Sequence, residues 1–213
     1  MFIHLHLVNQ VSADSIAEVS DCISTHLLNR WIHFPISEDT RLIKKREFNN
    51  LDRRFPDLIG VIDCTHIRIV APPAEHPNYP GATYYCRKNF FAINTQIICG
   101  AKRKIININA RLPGSVHDSA IWMMSQAKTE LQNLHVRTGQ LNYLIGDSGY
   151  PLEPWLLTPF AHVVPNSPEG NFNKALSKMR TIIEHVNGML KGRFRCTHGH
   201  RALHYDPIRA AKI

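Results

Sequence analysis

Residues 55–68, FPDLIGVIDCTHIR, decide the fold of this chain. An apolar run from Leu58 to Ile62 follows Pro56, and Asp63 and a polar segment come directly after it. A short run of β-branched residues next to a proline predicts a buried strand. An unpaired buried carboxylate takes up a proton, so Asp63 needs a partner charge, a hydrogen-bond network or a metal ion. The strand therefore predicts a chemical site at Asp63 whose other members come from later in the sequence.

The residues that follow predict a sheet of mixed pairing with helices on its faces. Two apolar segments, 90–100 and 105–110, are separated by a short basic turn, which predicts an antiparallel hairpin. Further elements are predicted as a helix from Asp118 or Ser119, a strand over 143–146, a short helix over 152–157, a strand over 161–164 and a long helix over 174–191. This order is that of an RNase H-like α/β core.

Two helices are predicted before this core. Apolar residues recur at helical spacing between Val11 and Trp31, and residues 36–50 predict a second, short helix or an ordered linker. Its basic residues are more typical of a solvated face than of a DNA contact.

Composition bounds the class of protein. The 213 residues are 44% hydrophobic and 20% charged, which is typical of a globular domain and excludes a disordered chain. A formal charge of +8 favours a polyanionic partner such as nucleic acid, although a merely solvated basic surface explains it equally well. Five cysteines without a CxxC pair indicate a reduced compartment, cytosol or nucleus, and no apolar window is long enough to span a membrane.

Carboxylates recur where the predicted elements end. Asp63 and Asp147 each follow an apolar run, and ligands of open α/β sheets bind beyond the carboxyl ends of strands. On the long helix, Glu184 shares a polar face with Arg180, Asn187 and Lys191. Gathered carboxylates repel one another unless cations lie among them, and hard divalent ions such as Mg²⁺ or Mn²⁺ with oxygen ligands meet that need in phosphodiester chemistry.

Several of these residues have a second explanation. Asp118 could equally be a helix N-cap, and Glu184 could form a surface pair with Arg180. His66 and His117, next to the acids, are more often hydrogen-bond partners than metal ligands.

Two other kinds of site are not supported by context. Residues 146–149, GDSG, spell a serine-protease motif, but the pattern is not all-β and the upstream histidine segment is missing. Cys196, His198, His200 and His204 lack the spacing of a zinc site.

Four segments, taken in order, carry a family resemblance. FPDLIGVIDCTHIRI, PGSVHDSAIW, LIGDSGYPLEPWLLTP and FNKALSKMRTIIEHVNGMLKGRFRC resemble the motifs of the PIF/Harbinger superfamily of DDE transposases, and more closely those of the Harbinger transposase-derived nucleases of animals. The resemblance runs from about Ile32 to the C-terminus. It implies an RNase H-like fold, a divalent metal and DNA strand cleavage and joining. By motif, Asp63, Asp147 and Glu184 are the first, second and third catalytic acids and metal ligands, and Asp118 is an additional metal-binding carboxylate.

The resemblance also sets expectations for organisation and partners. Residues 1–50 are expected to be a helical N-terminal remnant or linker, and residues 51–213 a DDE endonuclease domain that is incomplete at its C-terminus. Relatives of this kind imply DNA as substrate, a Myb-like DNA-binding partner protein and a nuclear location, with the cytoplasm and a homo-oligomer left open. One departure is Val186-Asn187, where Phe-Gly is common after the third acid.

The sequence thus predicts a metal-dependent DNA endonuclease. The alternative is a non-catalytic DNA-binding or scaffold protein that has kept the fold. The basic residues predicted to contact the DNA backbone are Arg87, Lys88, Lys102, Arg103, Lys104, Arg180, Lys191, Arg193 and Arg195.

Overall fold

A computed structural model describes residues 13–197 and 201–213. The first helix, α1, runs from residue 13 to residue 31 and contains a π-helical turn at Ile23–Leu27. The remaining elements are α2 (Glu38–Asn49), β1 (Leu58–Arg68), a 3₁₀ turn (Gly81–Tyr84), β2 (Tyr85–Cys86), β3 (Phe90–Cys99), β4 (Ile105–Pro113), α3 (Asp118–Met123), α4 (Gln126–Thr138), β5 (Tyr143–Ile145), β6 (Leu156–Leu157), α5 (Pro168–Arg193), a 3₁₀ turn (Arg195–Thr197) and α6 (Pro207–Ala210).

The strands form one mixed sheet with β1 at its centre. Strand β1 pairs antiparallel with β3 on one side and parallel with β5 on the other, and β6 continues the parallel part. Strand β3 also pairs antiparallel with β4 and with the short β2. The predicted hairpin is therefore confirmed as β3 and β4, and the predicted strands at 58–62 and 143–146 are confirmed as β1 and β5.

Helices cover both faces of this sheet, as the alternation of β1 requires. Val61 on one face packs with Leu176 and Ile183 of α5 in a buried cluster. Ile62 on the other face packs with Trp122 of α3 and Leu131 of α4. The result is an α/β fold of the RNase H-like type, in agreement with the order of elements in the sequence.

The two N-terminal helices attach to this core in different ways. Phe48 of α2 is fully buried against β1 and α5. Asp21 of α1 forms ion pairs of 2.8 Å with Arg209 and 2.7 Å with Lys212, near the end of the chain. Among the helices of residues 13–197 and 201–213, none is both long and apolar enough to cross a bilayer.

Two predicted elements and one predicted boundary are wrong. Residues 152–157 are not a helix, because the N–H groups of Leu144 and Gly146 bond the carbonyls of Trp155 and Leu157 at 3.0 Å and draw this segment onto the sheet as β6. Residues 161–164 form no strand, because the chain bends at 161–162 with His162 at a left-handed φ of 53°. Helix α5 begins at Pro168, earlier than the predicted start at residue 174.

The early start of α5 has a clear cap. The side chain of Ser167 accepts a hydrogen bond of 3.0 Å from the Gly170 N–H, and Pro168 occupies the first helical position. A serine cap followed by proline is a favourable helix N-terminus.

Candidate active site

The register of β1 and β5 brings two of the predicted acids to the same edge of the sheet. Val61 pairs with Ile145, and Asp63 and Asp147 each lie two residues further along parallel strands. Gly146, between Ile145 and Asp147, leaves room for the ring of Tyr150, since a Cβ there would lie 2.9 Å from that ring. The Gly149 N–H then donates a hydrogen bond of 2.9 Å to Asp147 Oδ1 and fixes the carboxylate at the start of the turn.

Asp63 lies in an environment that disfavours its charge. Burial raises the pKa of its carboxyl to about 6, and the like charges of Asp147 and Asp118 also raise it. The guanidinium of Arg180 and the Cys64 N–H oppose that rise. Asn187 of α5 donates a further hydrogen bond of 3.0 Å from Nδ2 to Asp63 Oδ2. Asp63 is thus held between the sheet and α5 by one amide and one nearby cation.

Helix α5 brings the third predicted acid to this group. Glu184 is more than half exposed, and its Oε1 lies 4.0 Å from Arg180 Nη2. The same nitrogen lies 4.0 Å from Asp147 Oδ2. The surface pair between Arg180 and Glu184 therefore exists, and the same guanidinium also contacts Asp147. We refer to Asp63, Asp118, Asp147 and Glu184 as the acid cluster.

Asp118 approaches the cluster from the opposite face. The N-cap residue of α3 is His117, which makes no side-chain cap, so the N-cap explanation for Asp118 is wrong. Its carboxylate instead accepts a hydrogen bond of 2.9 Å from Asn94 Nδ2 of β3, which also bonds the Val116 carbonyl at 2.9 Å. The almost fully buried amide of Asn94 orients Asp118.

A cleft of about 330 Å³ opens between Asp118 and Asp147. His66 lies in its wall, and its Nε2–H donates to the Gly114 carbonyl at 3.1 Å. Burial lowers the pKa of His66, which keeps the ring neutral at physiological pH. The exposed Arg87 and the side chain of His117 also line the cleft, so acidic and basic groups face the same space.

The predicted basic contacts divide into separate groups. Arg87 lies in the cleft. Burial lowers the pKa of Lys191, and the nearby charges of Lys88 and Asp63 also influence that pKa. Arg193 and Arg195 are exposed at the end of α5 and in the turn after it. The group at 102–104 lies in the β3–β4 turn, next to the N-terminal end of β1 and away from the acids.

The donor chemistry of this cluster suits a hard divalent ion, because carboxylates are the ligands such ions take. The positions do not complete a site, however. Within the described part of the chain, no three His, Cys, Asp or Glu side chains lie close enough to hold one metal ion. The Arg180 guanidinium contacts both the Asp147 and the Glu184 carboxylate, each at 4.0 Å.

The same finding bears on the C-terminal zinc alternative. His198 and His200 lie outside the described residues. Cys196 and His204 are described, and they belong to no metal-binding group among residues 13–197 and 201–213.

Two functional residues were not predicted by the sequence. Asn94 is the first of three consecutive polar residues, Asn94–Gln96, which are all buried inside the otherwise apolar β3. Such a polar run within a buried strand is a usable signal, because buried polar groups need partners. Asn187 was noted on the polar face that carries Glu184 and as a departure from the family motif, but its bond to Asp63 depends on the packing of α5 against β1.

Comparison with known proteins agrees with this geometry. The sequence profile described as "DDE superfamily endonuclease" matches residues 62–213. The chain is 32% identical over 186 residues to the Rattus norvegicus protein named "Putative nuclease HARBI1", covering 87% of this chain and 50% of that protein. It is 31% identical over 187 residues to the Homo sapiens protein of the same name, with the same two coverages.

Plant relatives are also found. "Protein ALP1-like" of Arabidopsis thaliana is 29% identical over 155 residues, covering 68% of this chain and 37% of that protein. No solved structure gives a significant match. The chain spans about half the length of the curated HARBI1 relatives it matches.

The order of the acid motifs, the mixed sheet and the profile match over most of the chain lead to one conclusion: the chain belongs to the DDE superfamily endonucleases, in the Harbinger transposase-derived group.

Proposed function

We propose that this chain is a divalent-metal-dependent DNA endonuclease in which Asp63, Asp147 and Glu184 bind the metal and Asp118 assists them. One observation carries the proposal. The first two acids follow paired residues of neighbouring parallel strands, and α5 places the third acid within 4.0 Å of the same guanidinium that contacts the second.

The residues of the chain have defined tasks in this proposal. Asn187 and Asn94 orient the carboxylates of Asp63 and Asp118. Arg87 lines the cleft and offers a charge to the phosphate backbone, as a basic chain of +8 would require. A divalent metal, when bound, would supply activation of the attacking water and stabilisation of the leaving oxygen.

The test is nicking of supercoiled plasmid in Mg²⁺ or Mn²⁺ by the wild type, Asp63→Asn and Glu184→Gln. Glu38→Gln is the matched control, since Glu38 is an exposed acid in the first turn of α2, away from the strand ends. We expect nicking by the wild type and the control and its loss in both site variants. Nicking that survives in Asp63→Asn would contradict the assignment.

A non-catalytic DNA-binding or scaffold protein is the second candidate. One observation favours it: Arg180 neutralises the acids without any metal, so the fold can keep them for electrostatic balance alone. An absence of Mg²⁺-induced thermal stabilisation, together with retained DNA binding, would favour this candidate.

A nuclear location, a Myb-like DNA-binding partner and a homo-oligomeric state complete the proposal. Each follows from DNA as substrate and from the family resemblance. Fluorescent tagging of the chain, co-precipitation with a Myb-like protein and light scattering of the purified chain test them separately.

A further inference from the structure

Arg180 lies beside the acid cluster and contacts two of its members. Its Nη2 lies 4.0 Å from Asp147 Oδ2 and 4.0 Å from Glu184 Oε1, and about four-fifths of its side chain is shielded from solvent. The sequence predicts Arg180 as a DNA contact, and in the structure its guanidinium lies beside the acids. A guanidinium in that position contacts carboxylates from two different elements, the end of β5 and the middle of α5.

The rest of the Arg180 guanidinium is less well satisfied than Nη2. Its Nε is buried and meets no hydrogen-bond acceptor within the described part of the chain, so the side chain is not held by ideal local bonding. Its Nη2 faces the Asp147 and Glu184 carboxylates, each at 4.0 Å, so its positive charge is directed at both acids. Without Arg180, three like charges would face one another in a partly buried site.

Arg180 also explains why the cluster does not form a metal site as it stands. The Arg180 guanidinium lies within 4.0 Å of both the Asp147 and the Glu184 carboxylate, and a divalent ion bound to these two groups would be repelled by it. No trio of ligating side chains in the described residues is close enough to share an ion. Moving this one side chain would free both carboxylates.

We propose that Arg180 is the internal counter-cation of the metal-free acid cluster, and that a divalent ion binds in competition with it. The inference rests on the proposed metal dependence. The described conformation is then a self-neutralised state, and the acids come together around an ion only after the guanidinium has left the gap.

The test is the affinity of the purified chain for Mn²⁺ alone, measured by calorimetry without DNA. Arg180→Gln removes the charge and keeps a polar side chain. Lys178→Gln is the matched control, because Lys178 is exposed on the same helix and the change in net charge is the same. We expect Arg180→Gln to bind Mn²⁺ about fivefold tighter or more, the lower bound for two unit charges 4 Å apart in water. Lys178→Gln should stay within about twofold of the wild type, since a distant exposed charge is screened.

Thermal unfolding gives a second readout. Metal-free Arg180→Gln should unfold at a lower temperature than the wild type, and Mn²⁺ should raise its unfolding temperature more. If this variant does not fold, Arg180→Met carries the test, because methionine also removes the charge while keeping an unbranched, flexible side chain, and tighter Mn²⁺ binding is again expected.

The outcomes separate the two proposals. Equal or weaker Mn²⁺ binding by a folded Arg180 variant, or an equal gain in Lys178→Gln, overturns the role of Arg180 and leaves the metal-dependent nuclease standing. No Mn²⁺ binding by the wild type or by either Arg180 variant overturns both.

Discussion

Asn187 and Asp63 are 124 residues apart in sequence, and the Asn187 amide donates a hydrogen bond of 3.0 Å to the Asp63 carboxylate. The bond connects α5, which carries Glu184, to the strand that carries the first acid. The position of α5 therefore controls the orientation of Asp63 as well as the reach of Glu184.

Replacing Asn187 with alanine should weaken metal binding and nicking without unfolding the chain. Hydrogen-bond partners of metal ligands typically contribute 10–100-fold to affinity or activity, so a loss of about tenfold or more in Mn²⁺ affinity is expected. Calorimetry measures it. His185→Ala is the control, since His185 is an exposed neighbour on α5. Equal affinities in the two variants would show that Asp63 needs no partner from α5.

Metal binding should depend on pH through Asp63. Burial raises the pKa of its carboxyl from 3.8 to about 6, so the metal-free site is largely protonated below that pH. A metal ion needs the carboxylate, and Mn²⁺ affinity should therefore rise as the pH increases from about 5 to about 7. Calorimetry over this range should show that step in the wild type. A step of the same size in Asp63→Asn would assign the titration to another group.

The same pKa shift has a consequence for stability, and its sign can be stated. The folded chain binds the Asp63 proton more tightly than the unfolded chain does, so protonation favours folding. This contribution is fully present below about pH 4 and is lost as the pH rises through about 6. Metal-free Asp63→Asn should therefore gain stability relative to the wild type on going from about pH 4 to about pH 7, as followed by thermal unfolding.

Replacing Gly146 and Gly188 with alanine should change the stability of the fold in opposite directions. A Cβ at Gly146 would lie 2.9 Å from the ring of buried Tyr150 and 3.3 Å from Ile62 Cγ2, so Gly146→Ala should destabilise the fold by about 1–3 kcal/mol. Gly188 lies in α5 with open space around its Cβ position, so Gly188→Ala should stabilise by about 0.5–1 kcal/mol. Chemical denaturation of both variants measures the difference. A neutral Gly146→Ala would show that Tyr150 moves aside freely.

How far the sequence predicts this molecule depends on the range of the interactions. The β3–β4 hairpin and the strands before Asp63 and Asp147 follow from local patterns. The spacing of apolar residues and the length of a turn can both be determined from consecutive residues. Residues 152–157 read as a helix for the same reason. Their actual conformation depends on the sheet edge and on Glu153 Oε2, which accepts bonds from the indoles of Trp122 at 2.7 Å and Trp155 at 2.8 Å.

The site shows the same division. The acids could be identified because strand ends and motif order are sequence properties. The partners of those acids could not, since Asn94 and Asn187 reach Asp118 and Asp63 only through tertiary packing. Arg180 was predicted as a DNA contact because its charge is visible in the sequence, whereas its direction is set by how α5 packs on β1.

DNA binding should depend on where the basic residues lie and not only on their number. Arg87, Lys88 and Lys191 lie in or near the cleft, whereas Lys102, Arg103 and Lys104 occupy the β3–β4 turn near the opposite end of β1. Replacing either trio with glutamine removes the same charge. Replacing Arg87, Lys88 and Lys191, the cleft trio, should weaken binding of a DNA duplex. It should also lower the steepness of log affinity against log salt concentration by about one for each phosphate that loses its cationic partner.

Replacing Lys102, Arg103 and Lys104, the turn trio, should leave that slope nearly unchanged. The turn lies away from the acids, and Lys102 pairs at 3.2 Å with Glu47 of α2. Fluorescence anisotropy across a salt series measures both slopes on the same duplex. Equal weakening in the two variants would mean that net charge alone holds the DNA. The cleft would then not be the surface that positions the backbone beside Asp118 and Asp147.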